Sequence, residues 1–463
     1  MKTNPLVTLY IPSRNYARFL EQSINSIINQ LYTNWELIII DEASDDNTCL
    51  IAETFVSKYP KKIKLIKNEC PVGLQKLSNK ILKLANGKYM MRLDADDWLD
   101  ESALLLMVAK LEKTKNVGIV YGNYYYTDES GKILGIEDKF IFGSEDNSGQ
   151  IPPHGACTMF RTRSLKNVGG YSEDVDAQDG WDLWFKLSNK IGAVSIKSPL
   201  FYYRQHGNSL SRDEKRLIKA RTKIFGNLAK KLEGNYKPTV VAVIPVKESY
   251  PNFEKVPFQT INNKSLLEIS ILNACNSEKI NLVIVNSESK KVLEYSEALE
   301  KNKKVPKHKR ILRTKSKFKN IIPIRQFMLS AGELYFQENN NYPDIIIYLS
   351  LHAVKRKTED IESALNILQI SEADSIVSVQ EEREPMFKHG KDGLSLINPG
   401  RFQHLSFDKE KLYRFNGVLI GAWWEVLKSH SMFGEKISYM EMSKSNSIQV
   451  RSKSILDTLN GPK

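Results

Sequence analysis

The chain has 463 residues, 41% hydrophobic and 26% charged, the composition of a soluble globular protein, and its length makes two core-bearing domains the natural expectation. A formal charge of +13 favours anionic partners (nucleotides, phospholipid headgroups or nucleic acid) without choosing among them. Cys49, Cys70, Cys157 and Cys275 form no CxxC pair, so neither a zinc knuckle nor a dithiol redox motif is expected, and reduced thiols of a cytosolic protein are the simplest reading.

The first third alternates short apolar runs with helical spacing. VTLYI (7–11) reads as a buried strand, and Phe19, Ile24, Ile27 and Ile28 place a helix over 18–30. ELIIID (36–41), a helix over 47–59, the strand KIKLIK (62–67) and a helix over 74–86 follow. KYMMRLDADD then makes a fourth strand running into an acidic loop. This alternation predicts a doubly wound, Rossmann-like parallel sheet. In such sheets ligands bind beyond the carboxyl ends of the strands, which is where the polar clusters of this sequence fall.

After a basic helical stretch over 213–232, the segment EGNYKP (233–238) marks a boundary. It predicts one domain over 1–235 and a second over 236–463. The second half restarts with TVVAVIPV and continues with strands over 281–285, 344–349 and 375–380 and helices over 265–275 and 358–370, a second α/β domain. The basic run over 301–319 has only Phe318 among its charges, so a solvated surface is expected rather than a nucleic-acid patch. The opening residues lack the apolar run of a signal peptide. No stretch reaches the ~20 apolar residues that span a bilayer. A cytoplasmic protein is expected, with any membrane contact peripheral and on the inner face.

Asp94, Asp96 and Asp97 stand within four residues, and three such carboxylates repel unless a cation or hydrogen bonds compensate. Taken alone, they also suit a solvated turn that caps a helix before Trp98. The chain further carries IPSRNY (11–16), IIIDEASDDNT after the second strand, QDGWDLWFKL (178–187) and YRQHGNS (203–209). In this order and spacing the set resembles the family-two glycosyltransferases over about residues 5–230. The resemblance implies a GT-A fold and inverting transfer from a nucleotide-sugar donor, most commonly a UDP-sugar, with Mn²⁺ or Mg²⁺. The implied acceptor is a glycan, lipid-linked glycan or protein in bacterial surface-polysaccharide synthesis.

Residue by residue, the resemblance implies that Pro12, Ser13 and Asn15 line the donor site. Asp41 and Glu42 stand where two aspartates usually meet nucleobase and ribose. Asp94 would hold the ribose or a metal-bound water, Asp96 the metal with Asp97 in support, and His206 the metal or diphosphate. Asp179 takes the place of the catalytic base; it could also simply cap the following helix. Asp182, three residues on, is the rival base. Asn79 is matched, but Ser78 stands where an arginine is common, with Lys76 as the substitute. His154 is assigned to acceptor contacts. Trp181 would stack on a sugar, although core packing is the commoner fate of tryptophan.

The second half resembles the cytidylyltransferases that activate acidic sugars as CMP derivatives, on VAVIP (241–245), NKSLL (263–267), TEDI (358–361), DSIVSV (374–379) and Phe415-Asn416-Gly417. It departs from them where their chemistry sits. The loop VKESYPNFEK has no glycine to admit a phosphate, and Gln449 and Arg451 stand where paired aspartates would bind metal. A catalytically inactive domain is therefore expected, serving for homodimerisation, acceptor docking or sugar binding. A bifunctional protein that also makes a CMP-sugar, and a non-catalytic nucleotide-sugar-binding protein, are the other readings.

Overall fold

The computed structural model describes residues 4–137, 155–207, 214–234, 236–313, 323–382, 384–390, 393–398, 412–429 and 431–460. The chain forms two compact units, Met1–Arg221 with Arg383–Glu410, and Thr222–Glu382 with Lys411–Lys463. Among the described residues no helix is long and apolar enough to cross a membrane.

The first unit runs β1 (Val7–Ser13), α1 (Ala17–Ile28), β2 (Trp35–Glu42), α2 (Thr48–Lys58), β3 (Ile63–Asn68), α3 (Leu74–Leu84), β4 (Tyr89–Arg92), β5 (Trp98–Leu99), α4 (Ala103–Lys113), β6 (Ile119–Thr127), β7 (Ile133–Glu137), β8 (Met159–Arg161), α5 (Thr162–Asn167), α6 (Asp179–Ile191) and β9 (Ala193–Arg204). Its sheet has the order β3-β2-β1-β4-β8-β6-β9-β5, with β7 on β6. The first four strands are parallel, and β8 lies antiparallel between β4 and β6.

β1 and β2 are near-continuous apolar runs because both faces of the sheet are covered. Leu9, Ile11, Leu37 and Ile39 pack with Leu20, Ile24 and Ile27 of α1. The alternate residues Tyr10, Ile38 and Ile40 pack with Leu77 and Ile81 of α3 and Leu183, Trp184 and Leu187 of α6. Trp184 is thus a core residue. Truncating any of these fully buried aliphatic side chains to alanine costs about 2–5 kcal/mol. The acidic segment does not cap a helix: Trp98 and Leu99 form the short strand β5 on β9, and it is Asp100 that accepts from Ser102 ahead of α4.

The division between units falls inside α7 (Glu214–Glu233). There follow β10 (Val240–Val246), β11 (Thr260–Ile261), β12 (Lys264–Ser265), α8 (Leu266–Cys275), β13 (Leu282–Ser287), α9 (Lys290–Lys301), β14 (Lys309–Leu312), α10 (Ile324–Asn339), β15 (Ile345–Leu349), α11 (Thr358–Ile370), β16 (Ser375–Glu381), the hairpin β17 (Met386–Gly390) and β18 (Gly393–Asn398), which is grouped with the first unit, then β19 (Tyr413–Trp423), α12 (Trp424–Lys428), β20 (Ile437–Glu441) and α13 (Lys453–Asn460). The sheet order is β14-β13-β10-β15-β19-β16-β20. β10, β13, β14 and β15 are parallel, and β19 runs antiparallel between β15 and β16. This repeats the pattern of the first unit: third, second, first and fourth strands, then an antiparallel one. The basic run over 301–319 is not all solvated loop, since Lys309–Leu312 pairs with β13 as the edge strand β14; residues 314–319 lie outside the described residues.

Candidate active site

β1 and β2 end side by side, Ser13 in register with Asp41. Both side chains are buried, and Ser13 Oγ and Asp41 Oδ1 have no hydrogen-bond partner among the described residues. Leaving buried polar atoms unsatisfied costs about 1–3 kcal/mol each, so they are groups that a ligand can satisfy. Glu42 is different. Its carboxylate accepts from Asn68 Nδ2 and from the backbone N–H of Val72 (3.0 Å) and Gly73 (3.2 Å). It fixes the loop between β3 and α3 from within, and Gly73 takes φ +89° there. Asn15, itself at φ 60°, accepts from the Asp45 N–H at 2.8 Å and joins the two loops that follow β1 and β2. Pro12 is the penultimate residue of β1.

The end of β4 gathers the acidic residues around one guanidinium. Arg92 is 6% exposed. Its Nε lies 2.8 Å from Asp94 Oδ1, and its Nη1 donates to Asp179 Oδ2. Asp179 opens α6, 87 positions along the chain from Arg92. Gly155 faces this pair: a Cβ there would stand 3.1 Å from Asp179 Oδ2 and 3.2 Å from Arg92 Nη2. Across the loop, His206 Nε2 lies 2.9 Å from Asp96 Oδ2, with its ring buried against Phe19 and Tyr16.

Asp97 is 1% exposed; its Oδ1 accepts from the Arg204 N–H (3.0 Å), and its Oδ2 has no partner. The solvated-turn alternative is thereby removed. Arg204 braces the loop further. Its Nε donates to Asp96 O at 2.9 Å and its Nη1 to Glu129 O at 2.6 Å, while the guanidinium carbon lies 4.4 and 4.6 Å from the ring centres of Phe19 and Trp98.

Burial dominates the electrostatics. It pushes the Asp94 carboxyl up to about 6, against the pull of Arg92 and with help from Asp96 and Asp179. Burial, then Asp96 and Asp94, raise Asp97 well above the ordinary carboxylate value. The same loop raises the Tyr16 phenol, through burial and then Asp96. Negative charge is in excess here and would be relieved by a cation. Asp96 and His206 offer an oxygen and an imidazole donor in contact, which suits Mn²⁺ or Mg²⁺. Among the described residues no group of three or more His, Cys, Asp or Glu is arranged to enclose a metal ion by itself, so the remaining ligands of a metal here would have to come from substrate and water.

Three residues of the expected set do not join this cluster. Asp182 accepts from Ser172 N and Oγ (both 2.9 Å) and from Lys186 Nζ (2.7 Å), so its carboxylate fastens the preceding loop to α6. Asn79 is bound to both the N–H and the carbonyl of Tyr171. Trp181 packs beside Phe185 with the Arg221 guanidinium 5.0 Å from its ring. His154 lies outside the described residues. Arg92, Arg204 and Gly155 were not singled out in the sequence. Arg92 and Arg204 each lie inside a segment read as a motif, but only the fold shows what their guanidinium groups reach.

A doubly wound sheet whose strand ends gather carboxylates and a histidine defines an α/β transferase domain of the GT-A kind. Residues 8–169 match the family model described as Glycosyl transferase family 2, a match that lies wholly within the first unit. The chain is 30% identical over 220 residues to the EpsE protein of Bacillus subtilis, covering 46% of this chain and 77% of that one. It is 27% identical over 227 residues to UDP-Glc:alpha-D-GlcNAc-diphosphoundecaprenol beta-1,3-glucosyltransferase WfgD of Escherichia coli (48% and 86%). With the chondroitin synthase of Escherichia coli it shares 27% identity over 214 residues, 46% of this chain but only 30% of that protein. Among solved structures, the mannosyltransferase PcManGT of Pyrobaculum calidifontis, in complex with GDP-Man and Mn2+, aligns with a TM-score of 0.41 at 19% identity, covering 50% and 65%. The chain belongs to glycosyltransferase family 2 through its first unit, and it is a glycosyltransferase.

Proposed function

We propose that the first unit is an inverting, metal-dependent transferase. It moves a sugar from a nucleotide-sugar donor, a UDP-sugar in the first instance, to an acceptor hydroxyl of a glycan or lipid-linked glycan in bacterial surface-polysaccharide synthesis. The observation that carries this reading is that Asp94 and Asp179 share the Arg92 guanidinium. On this reading the acidic loop and the base would border one donor site. Ser13 and Asp41 would receive the nucleoside, and Asp96 and His206 would hold Mn²⁺ or Mg²⁺, whose charge offsets that of the departing diphosphate. Asp179 would take the acceptor proton as the hydroxyl attacks the anomeric carbon. WfgD carries UDP-Glc in its name, which supports starting with UDP-sugars.

For the second unit we infer a related nucleotide-sugar transferase fold, similar to the CMP-sugar cytidylyltransferases, that has lost its chemistry. The repeated strand order supports the fold. Arg451 donates to Gln449 at 2.6 Å beside Gly417, and this pair is a poor substitute for metal-binding carboxylates. Homodimerisation or acceptor docking is the role left to it.

The test is nucleoside diphosphate release from UDP-glucose, UDP-N-acetylglucosamine, UDP-galactose and GDP-mannose with Mn²⁺. Asp179→Asn should lose most turnover and keep donor binding. Full turnover in Asp179→Asn would overturn the assignment of the base, and pyrophosphate release from CTP with an acidic sugar would overturn the reading of the second unit.

A further inference from the structure

We propose that Arg92 is the positioning residue that holds the base and the donor-side carboxylate in one geometry; this rests on Asp179 being the base. Arg92 is buried among acidic and phenolic groups: Asp94 and Asp179 pair with it, and the phenols of Tyr10 and Tyr171 lie close enough to feel its charge. A buried guanidinium survives only where anions repay its lost hydration. Here the two anions come from distant parts of the chain, the loop after β4 and the first residue of α6. One rigid planar group thus sets the separation of the two carboxylates, each met by a different nitrogen, and lysine, with a single ammonium on a flexible stem, cannot hold both at that separation.

The backbone makes room for this arrangement. Gly155 leaves open the space in which a methyl group would press on both Asp179 and Arg92 at 3.1–3.2 Å. Cys157, two residues on, donates its N–H to Arg92 O at 2.8 Å and takes φ 57°, so the segment that passes the pair is tied to β4 itself. The consequence is functional. With one Asp179 oxygen engaged by Arg92, rotation of the carboxylate about the side chain is limited, so the other oxygen is the one presented to an acceptor proton.

Three variants test this in the full chain, using Mn²⁺ and whichever of the four sugar nucleotides above wild type cleaves fastest, with Asp179→Asn as reference. Arg92→Gln should lower kcat by about a hundredfold while the donor KM changes less than about threefold. Arg92→Lys should recover part of kcat. Gly155→Ala, which leaves every charge in place, should lower kcat without moving the donor KM.

An inactive Asp179→Asn beside an Arg92→Gln enzyme of normal kcat would overturn the proposal while sparing the base. An active Asp179→Asn would remove the base assignment and the proposal together. If Arg92→Gln fails to fold, Gly155→Ala decides: wild-type kcat there overturns the proposal. If wild type cleaves none of the four nucleotides, crystal structures of wild type and Arg92→Lys decide instead: an Asp179 carboxylate in the same place and rotamer in both overturns the proposal, and a displaced one supports it.

Discussion

His206 Nε2 and Asp96 Oδ2 meet at 2.9 Å although they lie 110 positions apart in the chain. The imidazole is buried on two aromatic rings, so its position is set by packing before any ligand arrives. Such preorganisation matters for metal affinity, because the ion need not order the side chain. His206→Ala should raise the Mn²⁺ concentration for half-maximal turnover by at least about tenfold, and EDTA should abolish turnover in wild type. A Mn²⁺ titration of nucleoside diphosphate release checks both.

Asp41 and Glu42 are neighbours with different fates. Asp41 keeps an unpartnered buried oxygen, whereas Glu42 is occupied by the loop after β3. Asp41→Ala should therefore weaken UDP binding by about tenfold, the loss of a hydrogen bond of about 1.4 kcal/mol. Glu42→Ala should expose the loop at 68–73 to proteolysis. Calorimetry with UDP and Mn²⁺, alongside limited proteolysis, separates the two effects.

Arg204 donates to two backbone carbonyls and is sandwiched between Phe19 and Trp98. Arg204→Gln removes the planar fork and leaves buried acceptors unpaired, at a cost of about 2–4 kcal/mol. Thermal unfolding should show a lowered first transition, with turnover falling because the Asp96 loop loosens.

His308 in the second unit is 2% exposed, bonded to Ser296 Oγ and at 2.9 Å to Pro306 O. Burial is the main cause that holds its pKa below the ordinary 6.5. The unfolded chain therefore takes up a proton first as pH falls. The stabilisation is complete above about pH 6.5 and is lost as pH drops below that value through the depressed folded one. Hydrogen exchange of β14 and α9 should accelerate between pH 7.5 and 5.5 after correction for intrinsic rates, and His308→Gln should flatten that dependence.

β1, β2 and β4 were legible as apolar runs because both faces of the sheet are covered there, whereas the edge strand β3 is read from Ile63, Leu65 and Ile66 set among lysines. β6, β7 and β9 were not: Tyr124, Tyr125 and Tyr126 stack against Phe201, Tyr202 and Tyr203 of β9 across the pair, a pattern that needs the partner strand to be seen. The acidic loop and His206 were readable as types in a motif. Which carboxylate is free and which is engaged was not. Asp182 stands in a motif and Asn79 matches a family position, yet their hydrogen bonds go to Ser172 and Tyr171, and no local pattern announces a partner of that kind.

The placement of α7 bears on how the second unit can be studied by itself. Thr222 lies 3.5 Å from Ser363 of α11, and Gly226 leaves a Cβ-sized space 3.7 Å from Asn366. Ile224 and Ala229 are fully covered. A truncated protein starting at the Lys237-Pro238 turn would lack these residues and leave one flank of α11 bare to water. Poor solubility of such a fragment would report on the missing helix and not on the intrinsic stability of the fold, so a fragment beginning ahead of Glu214 is the fair sample.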